Sequence, residues 1–272
     1  MVFGSRSCAP YTAEFIGTFL FCLIGLGTNA QLTVTNSSEA TGGGALLKAL
    51  GWGFGLTLGT FVSKQVSGGH VNPVITVTAA THQGLGARRL FGHILAQLIG
   101  AFVASFFVWV NYGSLFGGIS AGPDQGLDAG AAIFATYPAS NVGFWHGAFT
   151  ELLGTFVLSM GIHSISDRAA NPNVEVISPI AIGLLFSGIG LGIGYPTGYA
   201  LNPARDFGPR LFSAFLYGGK VFTVHNWYWL APLISPFIGG SLGAGFYHKL
   251  VRAGSDEGDA HHQLPVSSEG GD

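Results

Sequence analysis

Six apolar runs are separated by shorter polar stretches: Tyr11–Ala30, Ala45–Val66, Leu90–Asn111, Trp145–Ile165, Val176–Tyr195 and Trp227–Leu250. Each is long enough, or nearly so, for the roughly 20 residues of helix that cross a hydrocarbon layer. Two further segments break the pattern. Gly68–His82 lies between the second and third runs, and Thr197–Phe215 between the fifth and sixth. Each holds one Asn-Pro pair followed by helix-compatible residues. They are too short to span and too apolar for free loops, which predicts re-entrant half-helices. The expected fold is an all-α membrane protein of six transmembrane helices plus two re-entrant half-helices.

The two halves of the chain repeat each other. Ala13-Glu14-Phe15-Ile16-Gly17-Thr18-Phe19 recurs as Thr150-Glu151-Leu152-Leu153-Gly154-Thr155-Phe156. Ser67–Val74, ending in Asn72-Pro73-Val74, recurs as Pro196–Ala204, ending in Asn202-Pro203-Ala204, with one extra residue at its front. Three spans per half is an odd number, so the second copy must be inverted in the bilayer. The reading divides the chain into an N-terminus (1–10), a channel-like body (11–252) and a tail (253–272). The repeat halves are 11–111 and 145–250, joined by a long connection (112–144). That connection is expected outside and holds Pro123, Asp124, Asp128 and Pro138.

Composition agrees with this reading. Only 9% of residues are charged and 48% are hydrophobic, whereas soluble domains carry about a quarter charged residues. The 44 glycines suit helices whose backbones approach closely in lipid. The apolar run behind Arg6 is too long for a cleaved leader and reads as a first span. With the N-terminus cytoplasmic, Arg6, Lys64, Arg88, Arg89, Arg168, Lys249 and Arg252 fall inside, and Lys48, Arg205, Arg210 and Lys220 outside. This is the positive-inside bias, and it predicts cytoplasmic termini. The tail 253–272 is acidic and Ser/Gly-rich, so it is expected to be disordered. Asn36-Ser37-Ser38 is a glycosylation sequon in the first outer loop. Tail and sequon together point to a eukaryotic plasma membrane. No basic patch suggests nucleic acid.

Each Asn-Pro pair places an asparagine cap before a proline at the first helical position, Pro73 and Pro203. Asn72 and Asn202 then cap opposed half-helices whose positive ends meet near the membrane midplane, with the amides turned into a pore. Such donors orient single-file water and raise the barrier to protons and cations. Arg205 follows the second motif. A guanidinium at that depth is expensive unless paired or wet, so it is expected to line the path; its structural alternative is a staple for the outer loop. Glu14 and Glu151, inside spans, are expected to accept hydrogen bonds from the loops entering the half-helices. His70 is expected on the inner pore, and Asp206 is expected to hold loop donors and keep Arg205 in place. The remaining histidines, including His82, His93, His146, His163, His225 and His248, lack metal-ligand spacing. No metal, cofactor, catalytic triad or phosphate loop is expected, and Cys8 and Cys22 are not expected to pair.

These paired motifs, the repeated Glu-x-x-Gly-Thr-Phe and the six spans resemble the major intrinsic proteins, the aquaporin family, over about residues 10–252. The resemblance implies a homotetramer of bundles, each with its own pore for water or small uncharged solutes. Arg205-Asp206 and the long connection are similar to the glycerol-conducting branch. By that resemblance the outer filter maps onto Trp52, Gly190, Tyr199 and Arg205, with Gly190 widening it where water channels carry histidine. The implied permeants are glycerol, water and, as a further solute, urea; the alternatives are a water-selective channel or a coupled transporter. Two departures stand out. Tyr199 replaces the phenylalanine usual in bacterial glycerol channels, and Val74 replaces the alanine of the first motif.

Overall fold

The computed structural model describes residues 8–35, 43–118, 130–167 and 174–252. The expected tail 253–272, the sequon at Asn36, Arg6, Arg168, and Pro123, Asp124 and Asp128 of the long connection lie outside the described residues.

The helices are α1 (Ala9–Val34), α2 (Gly43–Ser67), α3 (Pro73–His82), α4 (Ala87–Tyr112), α5 (Ala131–Phe134), α6 (Phe144–Ile165), α7 (Val174–Ile193), α8 (Pro203–Tyr217), α9 (Lys220–Trp227) and α10 (Leu230–Phe246). A π-turn, Tyr247–Arg252, extends α10. Six of the described helices are long and apolar enough to cross a membrane. The 26 residues of α1 reach about 39 Å at 1.5 Å per residue, more than the ~30 Å hydrocarbon layer requires. The two half-helices are α3 and α8, each with proline in its first turn.

One expected boundary is corrected. The sixth span begins at Leu230 and not at Trp227. Trp227 ends α9, whose last residues His225, Asn226 and Trp227 take φ of 52°, 54° and 62°. Three successive left-handed residues cannot continue a helix, so the chain turns there before α10.

Burial is inverted relative to a soluble protein. Trp145 and Phe215 are 82% and 80% exposed, whereas Glu14, Glu151, Gln97, Arg205 and Arg210 are buried. Apolar side chains outside and polar groups inside are what a lipid solvent selects.

The packing follows the inverted repeat. α1 lies against α2 and α4, as α6 lies against α7 and α10. The halves join where α2 crosses α7, and each half-helix touches both α4 and α10. At the α2–α7 crossing, a Cβ on Gly53 would stand 2.6 Å from the Gly183 carbonyl oxygen, and one on Gly183 the same distance from that of Gly53. Only glycine admits so close an approach. Ser187 completes this contact by donating to the Ala49 carbonyl at 3.0 Å.

Candidate permeation pathway

The half-helices meet through their asparagines. The Asn72 side chain accepts from Val74 N at 2.9 Å, and that of Asn202 from Ala204 N at 3.0 Å and Arg205 N at 3.2 Å. These are N-cap bonds. Each amide also crosses to the other repeat. Asn72 Nδ2 donates to the Leu201 carbonyl at 2.9 Å, and Asn202 Nδ2 to the Val71 carbonyl at 2.7 Å. An amide nitrogen carries two hydrogens, so one donor per asparagine remains after this exchange.

The residue before each asparagine sits in left-handed backbone, Val71 at φ 52° and Leu201 at φ 54°. For a branched residue such as Val71 that is strained by about 1–3 kcal/mol, so something must hold it. Glu14 accepts from His70 N at 2.9 Å and Val71 N at 2.8 Å. Glu151 does the same for Ala200 N at 3.0 Å and Leu201 N at 2.8 Å. Glu14 has further donors, with Ser67 Oγ at 2.6 Å and Gln97 Nε2 at 2.7 Å. Two buried carboxylates thus grip two strained turns from two symmetry-related helices.

On the outer side the arginine, the tryptophan and the tyrosine come together. The Arg205 guanidinium carbon lies 4.0 Å from the Trp52 ring centroid and 6.0 Å from that of Tyr199. Arg205 Nη2 donates to the Gly198 carbonyl at 3.2 Å, while Nε has no hydrogen-bond partner among the described residues. Trp52 is aimed by Asn29, which accepts from its Nε1 at 3.1 Å and donates to the Ile133 carbonyl of α5 at 3.1 Å. Gly190 does not leave open space. A Cβ there would come 2.8 Å from Tyr199 Cζ, so the missing side chain is filled by the tyrosine ring.

Asp206 combines loop donors with an ion pair. The loop donors are Thr136 N at 2.8 Å and Thr136 Oγ1 at 2.6 Å. Its cationic partner is Arg210, at 3.0 Å, and not Arg205. Arg210 in turn donates to the carbonyls of Thr136 and Val221, at 2.6 and 2.8 Å, and faces the Tyr137 ring at 4.6 Å. Burial pushes the Tyr137 phenol up to about 12, with Arg210 pulling the other way. This network fastens the outer connection to α8.

From the two asparagines a cavity of about 270 Å³ leads to the opposite face. Its wall includes Phe21, Leu56, His70, Asn72, Phe186 and Asn202, and Lys64 and His163 stand toward its far end. Trp52, Gly190, Tyr199 and Arg205 are not part of that wall; they close together beyond Phe21 and Phe186. The geometry is an open inner passage, a waist with two amides, and a tight aromatic–arginine neck.

Comparison with known proteins agrees with this geometry. The family model described as "Major intrinsic protein" matches residues 5–247. The chain is a major intrinsic protein. Among its relatives it is 38% identical to "Aquaglyceroporin-2" of Rhizophagus irregularis over 257 residues, covering 92% of this chain and 80% of the relative. It is 36% identical to "Aquaporin-6" of Laccaria bicolor, covering 90% and 80%, and 37% identical to "Aquaglyceroporin-3" of Trypanosoma brucei brucei, covering 89% and 78%. The X-ray structure of the aquaglyceroporin from Plasmodium falciparum superposes with a TM-score of 0.83 at 27% identity, covering 93% of this chain and all of that one. Membership of this family of channels makes the protein a multi-pass membrane transport protein and not an enzyme.

Several members of this major intrinsic protein's polar interior escaped the sequence reading. Asn29, His93 and Gln97 are polar residues within spans, and that alone marks them, since lipid tolerates such groups only with a partner or a task. The histidines read as scattered also gather. His163 Nδ1 and His248 Nε2 are 3.0 Å apart, and His82 stacks on His248 at 4.7 Å. His70 and His93 bring their rings to 5.4 Å, and with Glu14 they offer three ligand atoms within 4.8 Å of one another. Residues without metal-ligand spacing in sequence are thus neighbours in space. The signal was invisible because these residues are distant in sequence.

Proposed function

We propose that this protein is a passive channel for glycerol and other small uncharged polyols, passing water and urea as well and excluding protons and ions. The observation that carries the reading is the neck formed by Arg205 on Trp52 at 4.0 Å. A polyol has a carbon edge and a hydroxyl edge. Trp52 and Tyr199 supply an apolar wall, worth up to about 0.8 kcal/mol per buried CH₂, and the Arg205 guanidinium supplies fixed donors. At the waist, Asn72 and Asn202 each keep a donor for the permeant, and the positive ends of α3 and α8 oppose cations. The names of the relatives, aquaglyceroporins among them, support the same substrate class. The assembly proposed is a homotetramer in the plasma membrane with both termini cytoplasmic.

A water-selective channel is the second reading, favoured by the Tyr199 ring that fills the space beside Gly190. Stopped-flow light scattering on proteoliposomes separates the two. Vesicles should shrink in sucrose and, after shrinking in glycerol, reswell far faster than protein-free vesicles. Fast shrinkage without accelerated reswelling would reject glycerol in favour of water.

A further inference from the structure

We propose that Glu14, His70 and His93 form a site for a borderline-soft divalent cation such as Zn²⁺ or Cu²⁺, opening on the inner passage. Their candidate ligand atoms lie within 4.8 Å of one another. His93 is 1% exposed, and neither of its ring nitrogens has a hydrogen-bond partner among the described residues. An imidazole buried with two idle nitrogens is a strong departure from the rule that buried polar groups are satisfied. Four residues on, one α4 turn away, Gln97 Oε1 is buried and equally without a donor. The nest therefore holds unfilled polar capacity on two side chains that face the same carboxylate.

The donor set selects the ion. Two imidazoles and one carboxylate suit zinc and copper, whereas calcium and magnesium take oxygen ligands. Zinc bonded at about 2.0–2.1 Å holds its ligand atoms roughly 3.3 Å apart, so small side-chain rotations close the remaining distance. Glu14 already accepts from His70 N, Val71 N, Ser67 and Gln97. Ligation would displace the Gln97 amide and leave the two backbone bonds that hold the turn. A fourth position would face the cavity, because His70 is in its wall. A water bound there can donate to Gln97 Oε1. The ion would place two positive charges and a hydration shell just inside the asparagine waist, so occupancy should obstruct the passage.

Obstruction as a readout rests on the channel reading above; binding does not. Purified protein is titrated with Zn²⁺ by calorimetry and with Cu²⁺ by electron paramagnetic resonance, and proteoliposome glycerol flux is recorded with Zn²⁺ on both faces. We expect nitrogen couplings from two imidazoles, slowed flux and full recovery with EDTA. His93→Gln should keep metal-free flux, weaken Zn²⁺ binding by at least about tenfold, lose one nitrogen coupling and escape the block. His93→Phe, which keeps an aromatic ring against Tyr11, serves if the glutamine variant unfolds. A protein lacking His163 and His248, the other histidine cluster, should still be blocked. Binding and spectra unchanged in both His93 variants would overturn the site, and would equally mean that only water fills the nest. Normal metal binding with undiminished flux would overturn its position on the passage. Absent metal-free flux would instead count against the channel reading.

Discussion

Glu151 holds the turn before Asn202 with both carboxylate oxygens, one on each of two backbone donors. Glu151→Gln offers one acceptor where two are needed and turns an NH₂ toward a backbone N–H. We expect a loss of about 1–3 kcal/mol, read as a lower unfolding temperature in detergent, together with slower solute flux as the Asn202 turn loosens. Unchanged stability and flux would show that the strained turn holds itself. How far such residues could be read in advance depended on their neighbours in sequence. Asn72 and Asn202 announce themselves because a cap followed by proline has a local signature that occurs twice. The outer neck was reached only through resemblance, since nothing local links Trp52 to Arg205. His93 was passed over because it has no metal-ligand spacing along the chain; its partners lie on α1 and in the loop before α3. The ion pair of Asp206 with Arg210 was not read from the sequence, although the two lie one helical turn apart.

At the scale of elements, α3 and α10 share one tightly complementary pair. A Cβ on Gly240 would overlap the Val74 side chain, so the glycine of α10 accommodates the branched residue in the first motif. Gly240→Ala should therefore destabilise the protein by about 1–3 kcal/mol through overpacking, and Val74→Ala should restore much of that loss in the double variant. Thermal unfolding of the four proteins gives the coupling; additive effects would dissociate the two positions. The same scale explains what the hydropathy pattern could and could not give. Spans and half-helices were legible because apolar length is a direct consequence of bilayer thickness. α5, with four residues, and α9, with eight, are too short to carry periodicity. They exist because tertiary contacts hold them: Asn29 on the Ile133 carbonyl, and Arg210 on Thr136 and Val221.

For the whole molecule, the two repeats form one body joined at α2–α7, at the half-helices and at the asparagine exchange. The covalent connection between them is consequently dispensable for association. A protease site placed within 119–129 and cut after purification should leave both fragments in one peak on size exclusion in mild detergent. Separate elution of the fragments would mean that the chain link, not the interface, keeps them together. The inverted order of contacts follows from an odd number of spans per repeat, which the sequence makes plain; the register of the crossing at Gly53 and Gly183 does not, because glycines are spread throughout the spans.

The reciprocal bonds from Asn72 to the Leu201 carbonyl and from Asn202 to the Val71 carbonyl carry one more consequence. They act as a fixed gauge. Lipids of different thickness can tilt the outer helices, yet the gap between the two amides is set by short bonds that run from one repeat to the other. The width of the asparagine waist should therefore hold steady as bilayer thickness changes.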